Sequence, residues 1–155
     1  MAQLKISPSD WKNYVGKELG TSDWYEVTQD EINEYGRVVG DIQWIHTDPE
    51  RAKKESPYGT TVAHGNWVLS IAFSKLMTQL YTSVNTRMAV NYGWNKIRFP
   101  APTPVGKRIR LVAKVIDVRE VGEGVFDVEF EFKIHVEGES KPCFVAIKLS
   151  RFYSD

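Results

Sequence analysis

A single cysteine, Cys143, in 155 residues excludes an internal disulfide and leaves no cysteine cluster for a structural metal. It stands in the apolar run Cys143-Phe144-Val145-Ala146-Ile147, which reads as a buried, inert thiol rather than a nucleophile. An excess of one charge is missing as well. Twenty basic residues oppose twenty acidic ones, and no like-charged run is long enough to act as an interaction tail. Nothing in the chain therefore points to nucleic acid or to an acidic membrane surface. A chain with no net charge tends instead to self-associate. No stretch approaches the roughly eighteen consecutive apolar residues of a membrane span, and Met1 to Pro8 holds no apolar signal core, so a cytoplasmic enzyme or binding protein is expected. Repeats and linkers are absent too. With 42% hydrophobic residues, 1–155 is expected to fold as one domain around one core.

Ser7-Pro8-Ser9-Asp10 reads as a helix start, with Trp11 and Tyr14 following and Gly16 closing a short helix. Thr21 to Val27 is a plausible first strand. Thr28-Gln29-Asp30-Glu31 is a capping box, and it predicts a helix from Gln29 to about Val39 that buries Ile32, Tyr35 and Val39 and stops at Gly40. Asp41 to Val62 shows no sustained period, apart from a possible short helix opened by Pro49. A connection this long in a small protein is functional or disordered, and Trp44, Ile45 and Tyr58 argue against disorder.

From Ala63 to Tyr81 apolar residues leave little of a helix surface polar, which predicts a helix buried on most sides. Strand character follows. Met88 to Phe99 is a weak aromatic candidate, and Pro100-Ala101-Pro102-Thr103-Pro104 must leave the sheet interior. Ile109 to Val118 alternates, with a phase shift at Ile116 that a β-bulge would produce. After the turn at Gly122-Glu123-Gly124, Phe126 to Val136 alternates strictly, placing His135 on the polar face as a solvated surface residue. Cys143 to Phe152 returns. The pattern as a whole is α+β, an antiparallel sheet of five or six strands wrapped around a long central helix.

Candidate chemistry concentrates at Gly40-Asp41-Ile42-Gln43-Trp44-Ile45-His46 and Ala63-His64-Gly65-Asn66. Asp41 and His46, five residues apart, share neither a helix face nor a strand face, so converging on one target requires an irregular loop. A carboxylate and an imidazole that do converge can hold and deprotonate a water. The alternative, left open by spacing alone, is that Asp41 caps a turn while His46 is merely exposed. Gly65 falls in the first turn of the long helix, where unpaired N–H groups and the helix dipole favour negative charge. His64 either lines this site or is a hydrogen-bonded structural residue, and Asn66 and Ser70 either contact a ligand or bond within the helix.

On these two motifs, and on Arg98-Phe99-Pro100-Ala101-Pro102-Thr103-Pro104-Val105-Gly106, the chain resembles the MaoC-like (R)-specific enoyl-CoA hydratases from about Trp24 to Phe152. Gln43-Trp44, where many members carry Asn-Pro, is similar to the nodulation protein N branch. The resemblance implies a hot-dog fold, usually dimeric, that adds water to a trans-2-enoyl-CoA thioester to give the (R)-3-hydroxyacyl-CoA. It implies Asp41 and His46 as the catalytic pair, with Gly65, His64, Asn66 and Trp44 around the thioester oxygen and substrate, and it implies no metal and no cofactor. A hot-dog acyl-CoA thioesterase needs the same pieces and is the first alternative. A non-catalytic acyl-binding subunit is the second, against which the intact Asp41 and His46 stand.

Overall fold

The computed structural model describes residues 3–155. Its core forms where a helical stretch, 65–79, lies against the inner face of a twisted antiparallel sheet. That stretch begins as helix α4 (Gly65–Ile71), widens to a π-helical turn at Ala72–Leu76 and tightens to a 3-10 turn at Met77–Gln79. Trp67, Val68, Ile71, Ala72 and Leu76 are all buried there, so the apolar density of the sequence is spent on the core, as expected. The predicted span Ala63 to Tyr81 is too long at both ends. Ala63 is held extended because its N–H donates to Thr103 O at 2.8 Å. Tyr81 leaves for a short strand, β4 (Tyr81–Ser83), which pairs in parallel with the N-terminal strand β1 (Leu4–Ile6). Neither of these strands carries a pattern long enough to be read in advance.

The sheet has six strands, β2 (Glu18–Thr21), β3 (Tyr25–Glu26), β5 (Thr86–Arg98), β6 (Arg108–Gly122), β7 (Val125–Val136) and β8 (Phe144–Ser154). They run in the order β2-β6-β7-β8-β5, with β3 also on β6. The single strand expected over Thr21 to Val27 is split. Ser22 turns inward, where its Oγ accepts from the Leu111 N–H at 2.9 Å, and Trp24 leaves the ladder to lie 4.2 Å from the Arg110 guanidinium. The expected bulge is present, with the β6–β7 register slipping between Val115 and Asp117. Phe126, Val128, Phe130, Phe132, Ile134 and Val136 all face the core, each large side chain contributing about 1.5–3 kcal/mol by leaving water. His135 is not the solvated residue the alternation predicts. It is half-buried beside Trp24 and Arg110, and burial, then the charges of Arg110 and Lys133, hold its pKa below the ordinary value.

Between β3 and α4 lie the elements that shape the candidate site. Helix α1 (Gln29–Val39) has its predicted bounds: Thr28 Oγ1 accepts from the Glu31 N–H at 3.2 Å, and Gly40 ends the helix at φ +81°, a conformation that glycine adopts without a Cβ penalty. Its buried contacts are Ile32 and Gly36, while Val39, expected in the core, is exposed. The supposedly irregular segment then holds two short helices, α2 (Trp44–Thr47), which the sequence did not announce, and α3 (Pro49–Glu55), opened by Pro49 and capped by Asp48 Oδ1. The N-terminal segment Pro8–Tyr14 is 3-10 rather than α, and it inserts the fully buried Trp11 against Tyr81, Phe130 and Phe152.

Candidate active site

Helix α1 sets the position of Asp41. The Gly36 carbonyl, which also accepts from the Gly40 N–H, accepts from the Asp41 N–H at 2.9 Å, so the chain reverses there and the Asp41 side chain stands 49% exposed at the mouth of a cleft. Part of the modest reading also holds, since Asp41 Oδ1 lies 3.5 Å from the Gln43 N–H in a turn. The second half of that reading does not. His46, carried on α2, is buried at 8% exposure, and its Nδ1 is 2.7 Å from Val62 O. A carbonyl only accepts, so that nitrogen carries a proton, and in the neutral ring it is Nε2 that holds the basic lone pair.

His64 precedes α4 in extended conformation and turns its ring back between the other two residues. Its Nε2–H donates to Asp41 O at 2.8 Å, and the same nitrogen is 4.0 Å from the Asp41 carboxylate. Its ring stacks on that of His46, centroids 3.9 Å apart and planes 26° from parallel. Burial is the main cause lowering its pKa, opposed by the hydrogen bond to Asp41 and reinforced by His46, so the ring is neutral near pH 7. Its Nδ1 is buried without a hydrogen-bond partner among the described residues. One nitrogen or oxygen from each of Asp41, His46 and His64 lies within 4.8 Å of the others, so the convergence expected of Asp41 and His46 occurs, with His64 as a third member.

The three open into a cleft of about 590 Å³ that Tyr35, Val39, Gly65, Asn66 and Phe99 complete. Gly65 and Asn66 begin α4, and their N–H groups have no protein partner among the described residues, while Trp67 and Val68 already donate to His64 O. A side chain at position 65 would collide with Phe99, whose ring carbons come within 2.9 Å of a Cβ built there. Glycine is what lets this aromatic wall close on the helix start. Ser70 Oγ bonds back to Asn66 O at 2.7 Å, the within-helix role that was one of its two expectations. Trp44 is not brought to the cleft. It packs its ring face 4.3 Å from the Arg51 guanidinium on α3.

Three contributors were not assigned to the site from the sequence. Gln29 Nε2 donates to His46 O at 2.7 Å while Gln29 Oε1 accepts from Thr61 Oγ1 at 2.6 Å, tying α1, α2 and the segment before α4 together. Tyr35, read as a buried helix residue, and Phe99, read as a strand end, stand instead in the cleft wall, Tyr35 5.0 Å from the His64 ring. Gln29, next to the Thr28 cap, and Phe99, inside the stretch 98–106 that carries the resemblance, lay beside flagged motifs, and Tyr35 did not.

The family described as MaoC like domain matches residues 10–134. The chain is 42% identical over 146 residues to 3-hydroxyacyl-thioester dehydratase Z of Mycobacterium tuberculosis, covering 94% of this chain and 95% of that protein. It is 33% identical over 142 residues to Nodulation protein N of Rhizobium meliloti, covering 92% and 88%. Among solved structures, an (R)-hydratase from A. caviae involved in PHA biosynthesis superposes with a TM-score of 0.71 at 18% identity, covering 88% of this chain and 94% of that one. The fold is the hot-dog fold that the sequence pattern and resemblance implied.

Proposed function

The chain belongs to the MaoC-like dehydratase family, and on that premise we propose that it adds water reversibly to a trans-2-enoyl-CoA thioester, giving the (R)-3-hydroxyacyl-CoA, with Asp41 and His46 as the catalytic pair. The observation that carries the reading is the convergence of Asp41, His46 and His64 beside the unpaired N–H groups at the start of α4. Water lies between the Asp41 carboxylate and His46 Nε2. As its oxygen bonds to C3 of the enoyl chain, its proton passes to His46, whose Nδ1–H stays on Val62 O and whose new charge faces Asp41. The C2–C3 π pair shifts to C1–C2 and the carbonyl π pair to the thioester oxygen, to which the Gly65 N–H donates. In other enzymes a donor of this kind is worth on the order of 3 kcal/mol. His46 then returns the proton to C2. His64 is the positioning residue: neutral, it stacks on His46 without repelling the imidazolium and clamps the backbone of Asp41.

The reading includes a cytoplasmic homodimer. Strand β5 pairs with β8 on one side only, and its thirteen residues expose Met88 and Tyr92 at the open edge, the sort of edge that a second copy covers. A monomer at micromolar concentration in sedimentation overturns that part. The reaction itself is tested with crotonyl-CoA, following enoyl absorbance and free thiol together. Loss of absorbance without thiol is the expected result, thiol release would make the protein a thioesterase, and no change would make it a non-catalytic binder.

A further inference from the structure

Strand β8 points Phe144, Ala146, Lys148, Ser150 and Phe152 toward the core, so an ammonium falls in a row otherwise apolar or small. Lys148 is only 2% exposed. Its Nζ donates to Asn91 Oδ1 at 2.6 Å, to Leu149 O at 3.0 Å and to Ser150 Oγ at 3.2 Å, all neutral acceptors, and the rings of Trp94 and Phe73 lie 5.3 and 5.4 Å away. Among the described residues no carboxylate pairs with it. A buried cation without a counter-ion is expensive to keep, and burial accordingly lowers its pKa to about 8. It nevertheless remains mostly charged at neutral pH. The nitrogen also borders a cavity of about 190 Å³ between the helical stretch 65–79 and the sheet, into which Ser150 and Asn91 bring further donors.

This cavity and the candidate active site both border the helical stretch 65–79. Asn66, in the cleft, and Phe73, in the Lys148 cavity and already in the π-helical turn, are seven positions apart, roughly 10 Å along the axis. Aromatic rings bridge the interval: Phe99 of the cleft is 5.7 Å from Phe144, Phe144 is 5.9 Å from Trp94, and Trp94 borders Lys148. The two cavities share no lining residue, so an acyl chain whose thioester sits at Gly65 reaches the ammonium by parting these rings.

We propose that Lys148 recognises a carboxylate at the far end of the acyl chain, so that the preferred substrates are CoA monothioesters of medium-length enedioic acids. The proposal rests on the hydratase reading, and it adds that the tail of the substrate is charged. A plain alkyl tail would strand the ammonium against methyl groups, whereas a carboxylate supplies the missing counter-charge and accepts from the Ser150 hydroxyl.

The test compares kcat/KM for trans-2-octenoyl- and trans-2-decenoyl-CoA with that for the matching ω-carboxyl thioesters, in the unsubstituted protein and in Lys148→Met. The unsubstituted protein is expected to favour the ω-carboxyl member of at least one pair by ten-fold or more, and Lys148→Met to bring that ratio to about one. Asn91→Asp is the second variant, should Lys148→Met fold poorly. It places an internal carboxylate on the ammonium and is expected to suppress the preference, which a purely structural Lys148 would not show. Equal rates within each pair, or a preference that survives both variants, overturns the proposal while crotonyl-CoA hydration leaves the reading of function intact. If no thioester is hydrated, calorimetric binding of saturated octanoyl-CoA and of its ω-carboxyl counterpart decides the matter. Ten-fold tighter binding of the latter, lost in Lys148→Met, supports the site, and equal binding overturns it.

Discussion

A methyl group at Gly36 would lie 2.6 Å from the carbonyl oxygen of Asp41 and 3.4 Å from His64 Nε2. The last turn of α1 is therefore in contact with the bond that fixes the candidate active site, and only a hydrogen fits between them. Gly36→Ala should push the Asp41 carbonyl off His64. In an ordinary helix interior the same change would stabilise by up to about 1 kcal/mol, so the melting temperature is expected to move little in either direction. Turnover is expected to fall on the order of ten- to hundred-fold, because small displacements of reacting groups are costly. The check is crotonyl-CoA hydration beside a thermal melt, and a fully active Gly36→Ala would show that the carbonyl contact does not set the geometry.

Asp41 and His46 should behave as one unit. If they share a water, Asp41→Asn and His46→Gln each lower turnover by on the order of a hundred-fold or more, and the double variant loses little beyond the worse single one. Losses that multiply would mean independent roles, and near-normal rates in either single variant would place the chemistry elsewhere. The fold should hardly respond at Asp41, which is half exposed, and more at His46, whose buried bond to Val62 is cut.

Acid should attack the sheet at Asp127. This buried carboxylate accepts both ends of the Arg151 guanidinium, at 2.6 and 2.9 Å, and that fork holds its pKa below the ordinary carboxylate range. A carboxyl whose folded pKa is depressed stabilises fully above its unfolded pKa and loses that contribution as pH falls through the folded one. Asp127→Asn should therefore cost roughly 2–3 kcal/mol at neutral pH, less than a fully buried pair because Arg151 keeps some access to water, and should flatten the acid limb of the stability curve. Denaturant melts at pH 7 and pH 3 measure both effects, and parallel curves for the two proteins would contradict the assignment.

Alkali should do the opposite through Lys148. Its folded pKa, about 8, lies below the ordinary 10.5, so between these values the unfolded chain binds more protons and stability rises with pH. The penalty is complete below pH 8 and relieved above it, on the order of 3 kcal/mol at most. In Lys148→Met that rise between pH 8 and 10.5 should vanish. A rise that persists in the variant would assign it to another group.

Much of this architecture is legible in the chain because local rules act over a few residues. The Thr28 cap, the Gly40 stop, the alternation from Phe126 to Val136 and the slip at Ile116 each encode hydrogen bonds or burial within one element or one strand pair, and each stands where the sequence put it. The stretch around Asp41 and His46 was legible as polar residues outside any sustained period, although His46 is buried on α2.

What the sequence could not determine depends on contacts between segments far apart in the chain. His64 is ambiguous until Asp41 O, twenty-three residues away, accepts from its ring, and α2 forms as a single turn tied through Gln29 to α1. Trp44 sits beside His46 in the chain, yet a one-turn helix sends the two side chains to different faces, one to the cleft and one to Arg51. Lys148 carries no signal of its own in the sequence, since its burial is set by a strand register and by aromatic neighbours from β5 and the helical stretch 65–79. Sequence fixes what each segment prefers within a turn or a strand pair, whereas the charge, tautomer and exposure of a side chain depend on which distant atoms the completed fold brings against it.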